Sequence, residues 1–203
     1  MKILVTGSAG FIGRNLTAHL SRLPEFECLE FDRTKTDSRL RELLAEADGV
    51  VHLAGVNRPT DPAEFDQVNA GLTARVCEHL EALGKPVPIL LASSAQAQLD
   101  NPYGASKRAA ETIVREYGRR VSASVAISRL PGVFGKWCRP HYNSVVATFC
   151  HNAARDLPLR WPPKISSLRA MVSCMVLAPI HDDAVQLLNA IGQRCRARLQ
   201  NFG

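Results

Sequence analysis

The sequence predicts an α/β fold, a doubly wound parallel sheet with helices on both faces, followed by a short and incomplete C-terminal region. Two observations lead to this prediction. Short apolar runs alternate with segments of helical period from the first residue to about residue 155, and strands separated by helices pair in parallel through right-handed crossovers. A glycine-rich segment directly follows the first apolar run, at the edge where such sheets bind ligands.

The apolar pattern places the elements along the chain. The predicted strands are Lys2–Thr6, Phe26–Asp32, Gly49–Ala54, Val87–Ala92 and Ser122–Arg129. The predicted helices before residue 156 are Phe11–Leu23, Leu40–Ala47, Ala63–Leu83, Tyr103–Arg119 and Asn143–Arg155. Beyond them we expect Leu157–Pro179 to be irregular and Asp182–Arg198 to be helical. These boundaries divide the chain into a main domain, residues 1–155, and a partial region, residues 156–203.

The composition is that of an ordinary globular chain. With 203 residues, of which 46% are hydrophobic and 22% charged, the chain is long enough for one well-buried domain. Its apolar runs are too short for a signal peptide or a membrane span, so we expect a cytoplasmic protein without a membrane partner. The net charge of +6 favours anionic ligands. Because lysines and arginines are spread along the chain, we expect no nucleic-acid partner.

The first motif is Gly7-Ser8-Ala9-Gly10-Phe11-Ile12-Gly13, between the first predicted strand and the first predicted helix. Gly7 permits a tight turn, Gly10 lets the backbone approach a pyrophosphate, and Gly13 allows the helix to pack closely on the sheet. The helix N-terminus then faces the phosphate charge. Asp32 follows at the end of the second strand, where a carboxylate binds an adenosine ribose. Together these residues predict a Rossmann-type dinucleotide site.

The choice between the two nicotinamide dinucleotides stays open from these residues alone. Asp32 would accept hydrogen bonds from a ribose 2′-hydroxyl and would repel a 2′-phosphate. Arg33, together with Arg14 in the first helical turn, would attract that phosphate. The two effects oppose each other.

The candidate catalytic residues are Ser94, Tyr103 and Lys107. Ser94 follows the fourth strand, and Tyr103 and Lys107, four residues apart, share one face of a helix. A lysine ammonium near a phenol lowers the pKa of the phenol, so we expect Tyr103 to exchange a proton near neutral pH. Ser94 would hydrogen-bond the same substrate oxygen. The pattern predicts acid–base chemistry on an oxygen of the substrate.

These motifs resemble those of the short-chain dehydrogenase/reductases, in particular the extended branch that forms the NAD-dependent epimerase/dehydratase family. Thr6–Gly13 is similar to the glycine signature of that branch, His52–Gly55 to its third-strand segment and Asn69–Thr73 to its central-helix segment. The resemblance covers about residues 1–155 and recurs weakly at Ile180–Val185. It implies a nucleotide-binding and catalytic domain followed by a substrate region.

The resemblance also implies roles for individual residues. Tyr103 is the acid/base, Lys107 activates it and holds the nicotinamide ribose, and Ser94 orients the substrate. The implied cofactor-binding residues are Gly7, Gly10, Phe11, Ile12, Gly13, Asp32, Arg33, Leu53, Ala54, Gly55, Asn69, Tyr103, Lys107 and Leu130. The implied substrate-binding residues are Asn57, Arg58, Ser94, Arg139 and Asn143. Dimers of the family pair the helix that carries Val68–Leu80 with the Tyr103 helix, so we also expect a homodimer.

A narrower resemblance lies in Gly55–Pro59, Asp100–Gly104, Phe134–Pro140 and Tyr142–Cys150. These segments are similar to the reductases that make UDP-N-acetyl-L-fucosamine precursors for bacterial capsule and O-antigen. Such enzymes use NADPH to reduce a 4-keto-6-deoxy UDP-amino sugar, and a separate C-terminal cupin domain carries an epimerase activity. We therefore expect a reductase of a UDP-linked keto sugar that uses NADP(H) rather than NAD(H).

The chain departs from this pattern in two places. Arg129–Gly135 has glycine where the wider family commonly has asparagine, which would remove one polar contact with the substrate. Lys164–Ala178 matches no expected segment, and no cupin domain follows before the chain ends at Gly203. We therefore expect the substrate region, residues 156–203, to be truncated or divergent, which leaves the activity of the short chain open.

Two other functions stay open. A UDP-sugar 4-epimerase would retain its NAD and use Ser94, Tyr103 and Lys107 reversibly. A nucleotide-sensing module without turnover would suit the short chain, although it would not need Tyr103 and Lys107. A 4,6-dehydratase is disfavoured because it needs a carboxylic acid beside the catalytic serine, where this chain has Ala95 and Gln96.

We expect no metal site. The cysteines and histidines nearest to one another, Cys138, His141, Cys150 and His151, lack the spacing of a zinc site. His52 falls on a predicted buried strand, and we expect it to be a core histidine whose hydrogen bonds are satisfied.

Overall fold

The computed structural model describes residues 1–158 and 175–177. Its strands are β1 (Lys2–Thr6), β2 (Glu27–Phe31), β3 (Gly49–His52), β4 (Ile89–Ser94), β5 (Val125–Leu130), β6 (Gly132–Phe134) and β7 (Met175–Leu177). Its α-helices are α1 (Phe11–Leu20), α2 (Asp37–Glu46), α3 (Leu72–Ala82), α4 (Pro102–Val121) and α5 (Val145–Ala153). A π-helical turn, Phe65–Gly71, leads into α3, and a short 3₁₀ turn, Ala95–Gln98, follows β4.

The main sheet has five strands in the order β2-β1-β3-β4-β5, and all its neighbours are parallel. The order of the strands reverses between β1 and β3, which makes the space beyond their carboxyl ends the switch point where doubly wound sheets bind ligands. The predicted doubly wound fold is therefore confirmed. A separate two-stranded sheet pairs β6 with β7, also in parallel.

Two apolar layers cover the two faces of the sheet. On one face, Leu16 and Leu20 of α1 pack against Ile3 and Val5 of β1. On the other face, the core contains Leu4 of β1 together with residues of α2, α3 and α4. Successive residues of β1 thus point into opposite layers, and Ile3, Leu4 and Val5 are all fully buried. This two-sided burial explains why β1 is continuously apolar from Ile3 to Val5 instead of alternating.

The helix α4 carries the candidate catalytic pair and is fixed at both ends. It begins at Pro102, and the side chain of Asn101 caps its first turn by accepting a hydrogen bond from the Gly104 N–H at 2.7 Å. It ends at Ser122, which adopts a left-handed conformation with φ of 54°. Among the described helices, none is long and apolar enough to cross a membrane.

Two differences from the sequence prediction concern the predicted helices. The helix α1 stops at Leu20 instead of Leu23 because the following residues form tighter turns, such as the bond from Leu23 N to Leu20 O. The predicted helix Ala63–Leu83 starts with a π-helical turn, a widened geometry that apolar periodicity does not encode.

The prediction that Leu157–Pro179 is irregular is wrong at β7. Its three residues pair in register with β6, so the pairing, not an extended apolar pattern, determines this strand. Strands of three residues are too short to show the alternation that predicts strands in a sequence. The predicted helix Asp182–Arg198 lies outside the described residues, and the division into residues 1–155 and 156–203 stays a prediction.

Candidate active site

The candidate site residues meet at one edge of the main sheet. Because all five strands are parallel, their carboxyl ends share this edge, where β1 ends in Thr6, β3 in His52 and β4 in Ser94. Ser94 pairs with Leu130 in the last register position of β4 and β5. The fold thus places the glycine motif, the loop after β3 and the candidate catalytic serine side by side.

The glycine motif forms a tight loop that side chains would obstruct. Gly7 has a φ of +70°, and a Cβ at this position would lie 2.8 Å from the backbone nitrogen of Ala54. A Cβ on Gly13 would collide with the Gly7 carbonyl oxygen. The loop therefore holds β1, β3 and the start of α1 at a separation that only glycine permits.

The start of α1 offers donors without acceptors. The N-cap residue Gly10 provides no side chain, and the first turn of α1 contains no acidic residue. Ser8, which is only 2% exposed, has an Oγ without a hydrogen-bond partner. Free N–H groups and a buried unpaired hydroxyl at a helix N-terminus are the features that bind a phosphate anion. These residues fit the pyrophosphate of a dinucleotide.

Asp32 lies at the end of β2, next to the glycine loop, but one of its carboxylate oxygens is already engaged. Its Oδ1 accepts hydrogen bonds from the Thr34 hydroxyl at 2.6 Å and from the Thr34 N–H at 2.8 Å. These two bonds, that from the hydroxyl first, lower the pKa of Asp32. Arg33 and Lys35 on the same turn are exposed. The turn therefore presents both an acceptor for a ribose hydroxyl and cations for a phosphate. Its geometry does not decide between NAD(H) and NADP(H).

The structure brings Ser94, Tyr103 and Lys107 together. The Ser94 hydroxyl, which accepts a hydrogen bond from the Gln96 N–H at 3.2 Å, hydrogen-bonds the phenol of Tyr103. The Lys107 Nζ lies 5.9 Å from the centre of the Tyr103 ring and donates a hydrogen bond to the Ala92 carbonyl at 3.3 Å. Tyrosine and serine can therefore reach one substrate oxygen, with the lysine behind the ring.

Burial dominates the ionisation of this group. It raises the pKa of Tyr103, and the hydrogen bond from Ser94 offsets only part of that effect. Burial also lowers the pKa of Lys107 to about 8. The expectation that Lys107 lowers the pKa of Tyr103 is therefore wrong for this structure, because Lys107 is directed to the Ala92 carbonyl and not to the phenol oxygen. Tyr103 stays protonated at neutral pH, as a proton donor must.

Gly55, on the loop after β3, makes room for Lys107. A Cβ on Gly55 would lie 3.0 Å from the Lys107 Nζ and 2.8 Å from the Asn69 Oδ1. The Lys107 ammonium thus lies next to the backbone of Gly55, where no side chain intervenes. Leu53 and Ala54, just before Gly55, are partly buried and lie against β1 through hydrogen bonds from their N–H groups to Thr6.

Asn69 lies beneath the site, only 2% exposed, with both ends of its amide engaged. Its Oδ1 accepts from the Val56 N–H at 2.8 Å, and its Nδ2 donates to the Val56 carbonyl and to Ser106 Oγ, both at 3.0 Å. Ser106 in turn donates to the Tyr103 carbonyl at 2.8 Å. Asn69 therefore joins the loop after β3 to the first turns of α4, and its direct contact with a cofactor stays a prediction.

His52 is the core histidine that the sequence predicts. It is fully buried, and its Nδ1 and Nε2 contact the hydroxyls of Thr6 at 2.6 Å and Thr73 at 2.9 Å. Burial and then the charge of Lys107 lower the pKa of His52 to about 3. The ring is therefore neutral at physiological pH.

The sequence analysis missed a buried carboxylate one helical turn beyond Lys107. Glu111, 1% exposed, accepts hydrogen bonds from Ser93 at 2.6 Å, from Arg129 at 2.8 and 2.7 Å, and from Arg115 at 3.0 Å. These partners, Arg129 first, lower its pKa to about 2. The cluster ties α4 to β4 and β5 directly beside Ser94. Its signal in the sequence is a glutamate four residues after Lys107, on the face of α4 that is otherwise buried.

The predicted substrate-binding residues lie on two loops that touch each other. The Tyr142 hydroxyl donates a hydrogen bond to Asn57 Oδ1 at 2.7 Å, and the Arg58 guanidinium lies 5.5 Å from the centre of the Tyr142 ring. Arg139 and Asn143 are exposed on the same segment as Tyr142. The structure thus brings Asn57 and Arg58 close to the segment of residues 139–143, and their contact with a substrate stays a prediction.

The segment after β6 also covers the start of α1. Trp137, with a φ of 67°, has two cations against its ring, the Arg14 guanidinium at 4.7 Å and the Lys136 ammonium at 4.5 Å from the ring centre. Asn15 of α1 donates a hydrogen bond to the Lys136 carbonyl at 2.8 Å. Arg14, which the sequence offers as a ligand for a 2′-phosphate, is therefore stacked on an indole here.

The histidines and cysteines considered as metal ligands include one pair in contact. The rings of His141 and His151 meet edge to face, with their centres 5.3 Å apart. Within residues 1–158 no three potential ligands lie close enough together to hold a metal ion.

Phe65, in the π-helical turn, is a further residue that the sequence did not reveal. Its ring lies 5.7 Å from that of Tyr103, centre to centre. No local pattern predicts this contact, because it depends on the geometry of the π-helical turn, which brings Phe65 against α4.

Comparison with known proteins establishes the class. The sequence model of the NAD dependent epimerase/dehydratase family matches residues 3–172. The chain therefore belongs to that family, as the resemblance of its motifs predicts.

Relatives and solved structures narrow the comparison. The chain is 51% identical over 160 residues to a UDP-2-acetamido-2,6-beta-L-arabino-hexul-4-ose reductase of Pseudomonas aeruginosa, a match that covers 79% of this chain and 43% of the relative. A GDP-6-deoxy-D-mannose reductase of the same species is 31% identical over 155 residues, covering 63% of this chain and 51% of that protein. The chain therefore spans about half or less of the length of these curated relatives.

Two solved structures are similar as well. The capsular polysaccharide assembling protein CapF of Staphylococcus aureus is 43% identical, with a TM-score of 0.72 over 81% of this chain and 44% of CapF. RMD of Pseudomonas aeruginosa, solved in complex with NADPH, is 26% identical, with a TM-score of 0.67 over 76% of this chain and 61% of RMD. The predicted similarity to reductases of nucleotide sugars is confirmed.

Proposed function

We propose that this chain is the cofactor-binding and catalytic part of a reductase that uses NADPH to reduce a UDP-linked 4-keto-6-deoxy amino sugar. The observation that carries the proposal is the group formed by Ser94, Tyr103 and Lys107 at the carboxyl edge of the sheet. The similarity to a curated UDP-sugar reductase supports the substrate class.

The residues of the chain have distinct roles in the proposed reaction. When bound at the glycine loop, NADPH would supply the hydride that reduces the carbonyl carbon of the sugar. Tyr103 donates its phenolic proton to the carbonyl oxygen, so that the ketone becomes an alcohol. Ser94 donates a hydrogen bond to the same oxygen, and the Lys107 ammonium stabilises the negative charge that develops on that oxygen. Gly10 leaves space for the pyrophosphate, Gly7 and Gly13 permit the tight turn and the close packing of α1 that form the loop, and Ser8 offers the pyrophosphate a hydroxyl.

NADP(H) in preference to NAD(H) is the finer part of the proposal. It is supported by the exposed Arg33 and Lys35 beside Asp32 and by the NADPH complex of RMD. A UDP-sugar 4-epimerase has less support, since both curated relatives are reductases by name. The homodimer and the cytoplasmic location stay predictions from the sequence.

The test is turnover of a UDP-linked 4-keto-6-deoxy amino sugar, followed by the loss of NADPH absorbance. The parent protein should oxidise NADPH in step with the sugar, and Tyr103→Phe should lose at least about 10²-fold in kcat while it still binds NADPH, because only the transferable proton is removed. Tyr117→Phe, which removes a phenol that donates to the Val87 carbonyl and leaves the phenol of Tyr103 intact, is the matched control. Conversion of a 4-hydroxy UDP-sugar to its epimer without net oxidation of NADPH would favour the epimerase, and NADPH binding without any turnover would favour the non-catalytic module.

A further inference from the structure

A directed chain of buried hydrogen bonds runs beneath the site. The Ala54 N–H donates to Thr6 Oγ1 at 3.2 Å, and Thr6 Oγ1 contacts His52 Nδ1 at 2.6 Å. His52 Nε2 contacts Thr73 Oγ1 at 2.9 Å, and the Thr73 hydroxyl donates to the Asn69 carbonyl at 2.6 Å. All four side chains are 2% exposed or less. We call Thr6, His52, Thr73 and Asn69 the buried chain.

The hydrogen bonds at both ends, from the Ala54 N–H donor to the Asn69 carbonyl acceptor, fix the tautomer of His52. Since the only hydroxyl proton of Thr73 goes to the Asn69 carbonyl, Thr73 Oγ1 must accept from His52, which places the imidazole proton on Nε2. Nδ1 then accepts the hydroxyl proton of Thr6. A protonated imidazole would carry a proton on Nδ1 that faces the hydroxyl proton of Thr6. The hydrogen bonds of the buried chain therefore require a neutral His52.

The far end of the buried chain reaches the candidate catalytic lysine. The Thr73 hydroxyl binds the carbonyl of Asn69 within the π-helical turn, a widened geometry that is common at functional sites. The amide of Asn69 then joins Val56 to Ser106, the residue before Lys107. Both the Asn69 amide and the Lys107 ammonium close over Gly55. The position of the ammonium thus depends on groups in β1, β3 and α3.

We propose that His52 and Thr73 are positioning residues that act through Asn69 to hold the Lys107 ammonium against Gly55. Neither residue touches a reacting atom. The inference rests on the proposed function only in treating Lys107 as catalytic, and its test does not depend on turnover.

The experiment measures the titration of Lys107 in the free protein by NMR with ¹³C-labelled lysine, the signal being assigned by its loss in Lys107→Arg. In the parent protein, burial should place the pKa of Lys107 near 8. Tyr103 and His52 are the titratable groups that the structure records near it. Thr73→Val removes the hydroxyl but keeps the shape, so the ammonium should move toward solvent and its ionisation constant should change about tenfold or more, toward that of ordinary lysine. Thr73→Ser should titrate like the parent.

Thr112→Val is the matched control. Thr112 lies exposed on α4 and donates to the carbonyl four residues earlier, that of Arg108 at 3.1 Å, as Thr73 does within its own helix. This variant should leave the titration of Lys107 unchanged. If Thr73→Val does not fold, Ser106→Ala breaks the link from Asn69 to α4 and should shift Lys107 in the same direction.

Four results would overturn the proposal. They are a parent Lys107 that titrates like an exposed lysine, a folded Thr73→Val or Ser106→Ala that titrates like the parent, a Thr73→Ser that shifts as far as Thr73→Val, and a shift of equal size in Thr112→Val. A parent protein that reduces no keto sugar, but shows the expected titrations, would instead contradict the proposed function alone.

Discussion

The Lys107 ammonium rests against the backbone of Gly55, and a Cβ on Gly55 would lie 3.0 Å from Nζ. This contact connects α4, which carries the proton-donating tyrosine, to the loop after β3. It also explains why the loop has no side chain at this point, although the backbone of Gly55 does not require a left-handed conformation.

Gly55→Ala should therefore impair function without a change of chemistry at the site. The added methyl group meets Asn69 Oδ1 and Lys107 Nζ together, so one of them must move, and displacements of this size cost about 10²-fold in kcat/KM. A methyl group in Gly49→Ala, at the other end of β3, would lie 3.3 Å from the flexible end of Ile3 and at ordinary contact distance from Pro88, so this variant should keep the parent rate. NADPH-dependent reduction of the keto sugar by both variants provides the measurement. Equal rates in Gly55→Ala and the parent would show that Lys107 is not held by this contact.

Lys107→Met should stabilise the protein at neutral pH while it removes activity. Burial lowers the pKa of Lys107 from 10.5 to about 8, so the unfolded chain binds more protons than the folded one between these values, and the contribution of Lys107 to stability rises with pH across that window. At pH 7 the buried charge costs on the order of 3 kcal/mol, which methionine avoids. The excess in free energy of unfolding of Lys107→Met over the parent should shrink as the pH approaches 10.5.

Urea unfolding of Lys107→Met and the parent at pH 7 and at higher pH checks this difference. Lys85→Met is the control, since Lys85 also donates to backbone carbonyls, those of Ala45 and Ala47, but is exposed. It should change the free energy of unfolding little at any pH. A Lys107→Met variant less stable than the parent at pH 7 would contradict the prediction.

Glu111→Gln should destabilise the fold by about 3 kcal/mol, because it leaves Arg129 and Ser93 beside a neutral amide that can satisfy fewer donors. The pKa of Glu111 is lowered from 4.5 to about 2, so its contribution is complete above pH 4.5 and is lost as the pH falls toward 2. The difference from the parent should therefore narrow in acid. Glu116→Gln, which removes an exposed partner of Arg120 on the same helix, should change the free energy of unfolding by less than about 1 kcal/mol. Equal losses in free energy of unfolding in the two variants would mean that the buried cluster around Glu111 stabilises the fold no more than an exposed ion pair.

Arg33→Ala should narrow the preference for NADPH over NADH. The guanidinium beside Asp32 would pair with the 2′-phosphate, so its removal should weaken NADPH binding about tenfold and leave NADH binding nearly unchanged. Fluorescence titrations with both dinucleotides give the two dissociation constants. Arg39→Ala, on the exposed face of α2, is the control for a lost positive charge. Equal affinity of the parent for both dinucleotides would refute the assignment.

Periodicity was sufficient to predict the main sheet because its inner strands β1, β3 and β4 are buried. Runs such as Ile3–Val5 have no polar interruption. Because helices separate these runs, a doubly wound parallel sheet is the arrangement that buries them. The glycine motif and the pair Tyr103 and Lys107 could be found for a similar reason, since their chemistry requires fixed spacing along the chain.

The remaining features arise between segments that are distant in sequence. Glu111 is held in its ionised form in the interior because β5 brings Arg129 to it. The neutral tautomer of His52 is set by its hydrogen bonds with Thr6 and Thr73. The raised pKa of Tyr103 depends on how deeply its ring is buried, which a spacing of four residues does not reveal. Three-residue pairing, as in β6 and β7, leaves no periodic signal at all.

The contacts of Arg14 and Lys136 with the Trp137 ring make the fluorescence of this tryptophan sensitive to changes at the start of α1. Arg14 lies in the first turn of α1, so an anion that draws its guanidinium away would change the surroundings of the indole and hence its fluorescence. The sequence contains one other tryptophan, Trp161, which Trp161→Phe would silence. Loading of the glycine loop could then be followed in real time on the unlabelled chain, without any coupled reaction.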